Sequence, residues 1–344
     1  MSGDSCAKCP LCSHLKLTRL CFKTLSSWYY PSFVMSQLFW NAYKRLEKEV
    51  LALSEVIHFD DYQKRVYSSR IGDLLVRTVI EIESLSKVLY DAEGGTVPSG
   101  RDLYFDTDCL ALLEEKWILS RKVIYLNSSF FYFEDESFKV LTPLKKAYKR
   151  GTSSSKWKQA YQAVKHDRVN QIRRGNIENL LTALGALYIL NLYYRNSSIE
   201  NVSDKDASNI DWGLGSEIFT VKFSPESGGV SSTKIYEPKS DYEECIYLVK
   251  HTDESAQAFI DLMQVQNKIM VEKAQIEVAN FIINELTTGS LDLNDKTAIQ
   301  AAADHQFNES YRSALNQVVK QNGHKISSAI TGLRFEAVLN KQQF

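Results

Sequence analysis

Apolar residues recur at steps of three and four along most of this chain, and that spacing is typical of helices that bury one face. It predicts two long helices first, over residues 35–59 and 62–90. A shorter helix follows, capped by Asp106 or Thr107 and running to about residue 119. Most of the N-terminal half is therefore expected to be helical.

Two further helical patterns meet within residues 155–194. The first, which Ser155 can cap, has residues at steps of four, three and four: Trp157, Tyr161, Val164 and Arg168. These residues share one face of a helix that ends near Gly175, where two arginines precede the glycine. Asn176 can then cap the next helix.

That next helix, over residues 177–194, is apolar on nearly all sides and should be buried on most of them. A bilayer span needs about 20 apolar residues. This helix is shorter and contains polar residues such as Asn191, so the pattern favours a central core helix. Gly185 would permit the close approach of a neighbouring helix.

The pattern changes at two places. Residues 122–133 are β-branched and aromatic, which predicts a short hairpin or an irregular apolar connection. Three strand-like runs separated by Pro and Gly predict a small antiparallel meander: 217–223, 230–237 and 243–250. Helical period then returns in three segments: 254–286, about 295–304 and 307–321.

The resulting fold class is mainly α: a helical bundle with a small antiparallel β insertion and a helical C-terminal part. Its segments are a leader (1–34), the bundle (35–195), a polar linker or loop (196–211), the β-meander (212–250), the C-terminal helices (251–330) and a tail (331–344). The low number of Pro, six in 344 residues, agrees with a helical chain.

Charge is balanced overall but not locally. The formal net charge is −1, so global charge indicates no polyanionic partner. Residues 145–174, however, hold one acid, Asp167, and ten bases: Lys145, Lys146, Lys149, Arg150, Lys156, Lys158, Lys165, Arg168, Arg173 and Arg174. Cations interleaved with Trp157 and Tyr161 suit a nucleic-acid backbone with unstacked bases. The same run could equally be a solvated face, with the two aromatic residues in the core.

Lys165-His166-Asp167-Arg168 is the densest group of chemically capable side chains. His166 could act as a general base, because its unperturbed pKa lies near neutrality, and Arg168 could stabilise charge on a phosphate. The two are i,i+2 and diverge on an ideal helix. They could act together only if the helix breaks there or a second subunit supplies one of them. Alternatively, His166 is a structural residue.

The leader concentrates thiols: Cys6, Cys9, Cys12 and Cys21, with His14 nearby. These residues could supply zinc ligands, although no second C-x2-C follows. The alternatives are a loosely packed leader or a native start at Met35.

Several enzyme classes have no matching motif. The chain lacks G-x-x-x-x-G-K-[ST], G-x-G-x-x-G after a strand, H-E-x-x-H and G-x-S-x-G. These absences disfavour NTPases, dinucleotide enzymes, zinc proteases and serine hydrolases, and no cofactor is expected. The leader has no continuous apolar core of a secretory signal, so a cytoplasmic protein with reduced cysteines is predicted.

Two segments resemble the HEPN superfamily, small helical bundles of prokaryotic toxins and phage-defence proteins. Residues 69–90, SRIGDLLVRTVIEIESLSKVLY, are similar to an early helix of such domains. Residues 157–190, with W-x3-Y-x3-KHDR and a following apolar helix, are similar to a later helix pair. The resemblance covers about residues 62–195 and implies a helical homodimer that binds RNA or cuts it without metal.

The chain departs from the nuclease members of that superfamily, which use an R-x4-6-H motif across a dimer cleft. None of its six histidines has an arginine at that distance before it. Two hypotheses follow. In one, the chain is a HEPN-like RNA-binding protein or ribonuclease, with His166 and Arg168 catalytic and the basic run, including Lys158, Lys165, Arg150, Arg173 and Arg174, contacting RNA. In the other, it is a non-catalytic helical interaction or dimerisation module.

Overall fold

The structure, a computed structural model, describes residues 32–200, 213–224 and 240–343. Helices dominate these residues, which confirms the mainly α fold. Two predicted features lie outside them. These are the strand over residues 230–237 and the zinc candidates Cys6, Cys9, Cys12, His14 and Cys21.

The described helices follow one another along the chain. They are α1 Ser32–Ser54, α2 Ser69–Ala92, α3 Ala111–Trp117, α4 Glu136–Lys139, α5 Lys156–His166, α6 Arg168–Gln171, α7 Ile177–Arg195, α8 Asp253–Thr287 and α9 Lys296–Thr331. A π-helix, Phe105–Leu110, leads directly into α3. The predicted cap Asp106 therefore lies inside a helix, in its first turn.

The described strands form two small sheets. They are β1 Ile124–Leu126, β2 Val140–Leu141, β3 Ile199–Glu200, β4 Phe219–Val221, β5 Phe223–Ser224, β6 Tyr247–His251 and β7 Phe335–Leu339. The first sheet has the order β2-β1-β4, and the second β3-β7-β6-β5. Pairing is antiparallel except between β5 and β6.

Helix α7 is the centre of the core, as its all-round apolar pattern predicts. Its side chains from Leu180 to Tyr193 are almost all buried and join one large apolar cluster with α1, α2, α5 and β1. Asn176 caps it as predicted, accepting from Asn179 N at 3.0 Å. Among the described residues, none of the helices combines the length and apolarity that crossing a bilayer demands.

The neighbour of Gly185 differs from the prediction. A Cβ placed on Gly185 would lie 2.7 Å from Ile124 Cδ1, and Phe219 is the next closest side chain. The glycine therefore admits strands β1 and β4 against α7, rather than another helix. Ser155 precedes α5 as predicted but its hydroxyl makes no capping hydrogen bond.

The C-terminal helices are longer than predicted. A single helix, α9, covers the two predicted segments, 295–304 and 307–321, and extends to Thr331. The residues between the predicted segments, His305 and Gln306, are polar but do not break a helix. Asp295 caps α9 by accepting from Ala298 N at 3.0 Å.

The prediction of one antiparallel meander is wrong. The segment predicted at 217–223 contains β4, which pairs with β1 in the first sheet. Strand β5 follows it and pairs in parallel with β6, which lies in the segment predicted at 243–250 and belongs to the second sheet. The predicted polar tail contains β7, which lies between β3 and β6. Strand β3 likewise begins inside the predicted linker. The alternation of apolar and polar residues within a strand shows which face is buried but does not identify the partner strand. Because the partner strands here are distant in sequence, the pattern could not predict their pairing.

Candidate functional site

A cleft of about 810 Å³ opens where α2, the π-helix and α5 meet, and we call it the Asp106 cleft. Its lining is rich in polar and charged side chains and includes Glu83, Lys87, Leu103, Tyr104, Phe105, Asp106, Arg150, Gly151, Thr152, Ser154, Lys158, Gln159, Gln162, Ala163 and Arg174. Four of these residues are cationic and two are acidic, so the lining carries an excess of positive charge. Such an excess favours anionic ligands.

Asp106 holds the cleft together from a buried position in the π-helix. Its carboxylate accepts from Arg150 Nη2 at 2.8 Å and from Lys158 Nζ at 3.0 Å. Burial raises the pKa of Asp106, but the hydrogen bonds from Arg150 and Lys158 outweigh burial, so that the pKa lies below its ordinary value. Asp106 is therefore an ionised anchor. π-Helical turns are frequent at functional sites.

Lys158 is a structural member of this network. It is 3% exposed, and besides Asp106 its ammonium donates to the carbonyls of Ala147 and Lys149. Burial lowers the pKa of Lys158, and contact with Asp106 opposes that shift. The three hydrogen bonds fasten the loop that presents Lys149 and Arg150 to solvent.

Two arginines lie near the ring of Tyr104, which lines the cleft. The guanidinium carbon of Arg150 is 3.9 Å from the ring centroid, and that of Arg101 is 5.1 Å away. Arg101 also pairs with Asp108 at 2.6 Å, and this bond lowers the pKa of Asp108 to about 2. The rim thus combines an aromatic ring with fixed cations, a pairing that binds nucleotides through stacking and charge.

A second basic cleft, of about 410 Å³, adjoins the first, because Ser154 lines both. Its lining includes three of the bases from the run at 145–174: Lys145, Lys146 and Lys156. Lys156 is 3.6 Å from Glu178, and all three lysines are exposed. The two clefts therefore distribute the basic run along one continuous stretch of surface.

His166 and Arg168 stand on either side of a helix break, which was one condition for their cooperation. Asp167 leaves helical geometry, with φ −145° and ψ 63°, and ends α5. His166 Nε2 is 3.1 Å from Oε1 of Gln162, a residue of the Asp106 cleft. Arg168 instead donates to Asp73 on α2 at 2.5 Å. The described hydrogen bonds therefore give the two predicted catalytic residues different partners.

The predicted stacking residues are in the core. Trp157 and Tyr161 are each 1% exposed, and Trp157 Nε1 donates to the Pro143 carbonyl at 2.8 Å. Their helical spacing correctly places them on one face, but that face packs inward. Trp157, Tyr161 and Lys158 are therefore too deeply buried to contact RNA, and their assignment as contact residues is wrong.

The other predicted contact residues are exposed: Lys165, Arg150, Arg173 and Arg174. Lys165 donates to the hydroxyl of Tyr161 at 3.2 Å, and Arg173 lies 6.0 Å from the ring centroid of Tyr67. Arg174 lines the Asp106 cleft. These four cations remain accessible to a ligand.

Sequence reasoning missed three members of the site: Asp106 as an anchor, Tyr104 and Lys87. Lys87 comes from the C-terminal part of α2, some sixty residues before the basic run. Tyr104 and Asp106 lie in a segment interpreted as a loop and a cap. The local sequence gives little signal, because Asp106 lies between Asp102 and Asp108 and only burial singles it out as the acid that needs a cationic partner.

The described residues contain no group of three or more His, Cys, Asp or Glu side chains that could hold a metal ion. Comparisons with protein-family models, with curated proteins and with solved structures find no match for this chain.

Proposed function

We propose that this chain is a HEPN-like RNA-binding protein whose RNA site is the Asp106 cleft and the adjoining basic cleft. The observation that carries the proposal is the convergence of exposed cations on one continuous surface: Lys145, Lys146, Lys156, Arg150 and Arg174, joined by Lys87 from α2. Phosphates spaced along a nucleic-acid strand match a row of such charges.

The fixed geometry of this surface supports the proposal further. Asp106 and Lys158 secure the loop that carries Lys149 and Arg150, so these cations need little ordering when a ligand binds. The HEPN resemblance covers the same region, because its two segments include α2 and α5, which line the Asp106 cleft, and α7, which lines the adjoining cleft. Single-stranded RNA is favoured over duplex, since a cleft with an aromatic rim admits unstacked bases.

Salt-dependent binding of a fluorescent single-stranded RNA, followed by anisotropy, tests the proposal. The test variant is Lys87→Gln/Lys145→Gln/Arg174→Gln, which removes three exposed cations of the surface. Each phosphate contact contributes about 0.7 to the slope of log affinity against log salt on single strands. We expect the variant to bind more weakly and its slope to fall by about 2.

A matched control removes the same charge elsewhere. Lys296, Lys320 and Lys325 are exposed on α9, outside both clefts. The control Lys296→Gln/Lys320→Gln/Lys325→Gln should keep the wild-type affinity and slope. Equal losses in the two variants, or binding that ignores salt, would refute an RNA site at the clefts.

RNA cleavage is the second candidate function, and the position of His166 favours it. The imidazole is exposed at the end of α5 and contacts Gln162 of the cleft, so a bound phosphodiester could come within its reach. Cleavage in excess EDTA that is lost in His166→Ala and kept in His305→Ala, an exposed histidine of α9, would support this role. An intact cleavage rate in His166→Ala would exclude it.

A further inference from the structure

Helices α8 and α9 form a hairpin that stands apart from the main core. They contain 35 and 36 residues, or about 50 Å each at 1.5 Å per residue. None of their described side chains belongs to the large apolar cluster around α7. They share a small cluster of their own, made by Met270, Ala314 and Val318. Each helix is thus covered mainly on the side that faces the other.

Helix α8 carries a second apolar stripe that α9 covers only at Ile269, which packs beside the cluster of Met270, Ala314 and Val318. Its positions follow alternating steps of three and four: Leu262, Val265, Ile269, Glu272, Ile276, Ala279, Ile283 and Leu286. Val265 is 55% exposed, and Ile276 and Ile283 are each 62% exposed. At about 100° per residue, this stripe lies roughly 150° around the helix from the buried residues Met270 and Ala274.

Such a stripe is the pattern of a coiled-coil seam. Alternating steps of three and four keep one line of side chains facing a partner helix along the whole length. A helix with apolar residues on two opposite sides is normally covered on both. Glu272 is the one charged residue of the stripe, and it pairs loosely with Lys268 of the same helix at 3.9 Å.

The spacing of the stripe is symmetric about Ala274. Reversing the helix about that residue brings each position onto another position of the same stripe: Leu262 onto Leu286, Val265 onto Ile283, Ile269 onto Ala279, and Glu272 onto Ile276. We propose that two copies of this chain pair antiparallel through this stripe of α8. Each contact across the seam then pairs an a position of one copy with a d position of the other, as an antiparallel coiled coil requires.

The surroundings of the stripe fit a second copy of the chain. Among the eight positions that flank it, only Asp261, Lys268 and Lys273 are charged, so self-pairing opposes few like charges. In the pair, Gln275 of the second copy comes beside Glu272 and can donate to it.

Sedimentation velocity of the full chain at micromolar concentration tests the interface. Wild type should be a dimer, and Ile276→Glu/Ile283→Glu should be a monomer with unchanged helix content, with a dissociation constant raised at least 100-fold. The control Gln264→Glu/Asn284→Glu adds the same charge at exposed positions of α8 outside the stripe and should remain dimeric. A monomeric wild type, or a dimer that survives the stripe variant, would overturn the proposal.

Two variants that place either a positive or a negative charge at position 276 test the antiparallel register. Ile276 of one copy faces Glu272 of the other, so Ile276→Lys creates two opposite-charge pairs, whereas Ile276→Glu opposes four carboxylates at the centre. We expect the dimer of Ile276→Lys to have a dissociation constant at least tenfold lower than that of the Ile276→Glu dimer. In a parallel pair, position 276 would face the same position of the second copy, so both variants would bring like charges together. Equal harm from the two variants would therefore refute the register.

Discussion

At the scale of single residues, the site depends on one carboxylate. Within the described part of the chain, Asp106 is the only acid that pairs with Lys158, whose ammonium is buried among backbone carbonyls. Asp106→Ala should therefore lower the free energy of unfolding by about 3 kcal/mol, since it leaves a buried charge without its partner. Urea unfolding at pH 7 measures this loss. Asp73→Ala, which breaks the exposed pair with Arg168, is the control and should cost less than about 1 kcal/mol.

The same residue predicts a pH dependence. The folded pKa of Asp106 lies below the ordinary value of 3.8, so its contribution to stability is complete above that pH and is lost as the pH falls through the folded pKa. The gap between wild type and Asp106→Ala should therefore be constant from pH 7 to about pH 5 and shrink below about pH 4. A gap that stays constant in acid would show that Asp106 acts by packing rather than by charge.

The candidate site was only partly predictable at this scale. Helical period correctly grouped Trp157 with Tyr161 on one face, but period alone does not say whether a face meets solvent or the core. Lys158 looked like another base of an exposed run, because the carboxylate that draws it inward is 52 residues away in sequence. Exposed members of the run, such as Lys145 and Arg174, needed no distant partner to remain at the surface.

At the scale of elements, the local sequence pattern predicted the helices more accurately than the pairing of the strands. Helices α2 and α7 were predicted within a few residues, except at the start of α2, because their period and caps are written in consecutive residues. The π-helix was not predicted, since a shifted hydrogen bond leaves the order of apolar residues almost unchanged. Strands β1 and β4 find each other across more than ninety residues, and no local signal specifies that pairing.

The contact between α7 and β1 gives a prediction at this scale. A methyl group at Gly185 would meet Ile124 Cδ1 at 2.7 Å, so Gly185→Ala should destabilise the fold by about 1–3 kcal/mol through overpacking. Ile124→Val removes that same carbon atom. The double variant Gly185→Ala/Ile124→Val should recover at least half of the loss, as measured by urea unfolding of all four chains. Additive losses would mean that the glycine is needed for a reason other than Ile124.

At the scale of the whole molecule, the described residues form one large core, and a helical hairpin is inserted in the sequence between strands β6 and β7. Strands β6 and β7 pair from Tyr247 with Leu339 to His251 with Phe335, and α8 and α9 lie between those two last residues. This arrangement explains why the end of the chain was mistaken for a tail. Residues 335–339 show a strand only through their pairing with β3 and β6, which precede the hairpin.

This insertion predicts that the hairpin is dispensable for the fold and needed for self-association. His251 and Phe335 are directly paired, so an Asn-Gly turn can join them in place of residues 252–334. The shortened chain keeps the whole main cluster and both basic clefts. It should unfold cooperatively, sediment as a monomer and bind single-stranded RNA with the salt dependence of the full chain. Loss of RNA binding in a folded, shortened chain would place RNA contacts on α8 or α9, and failure to fold would show that the core depends on the hairpin.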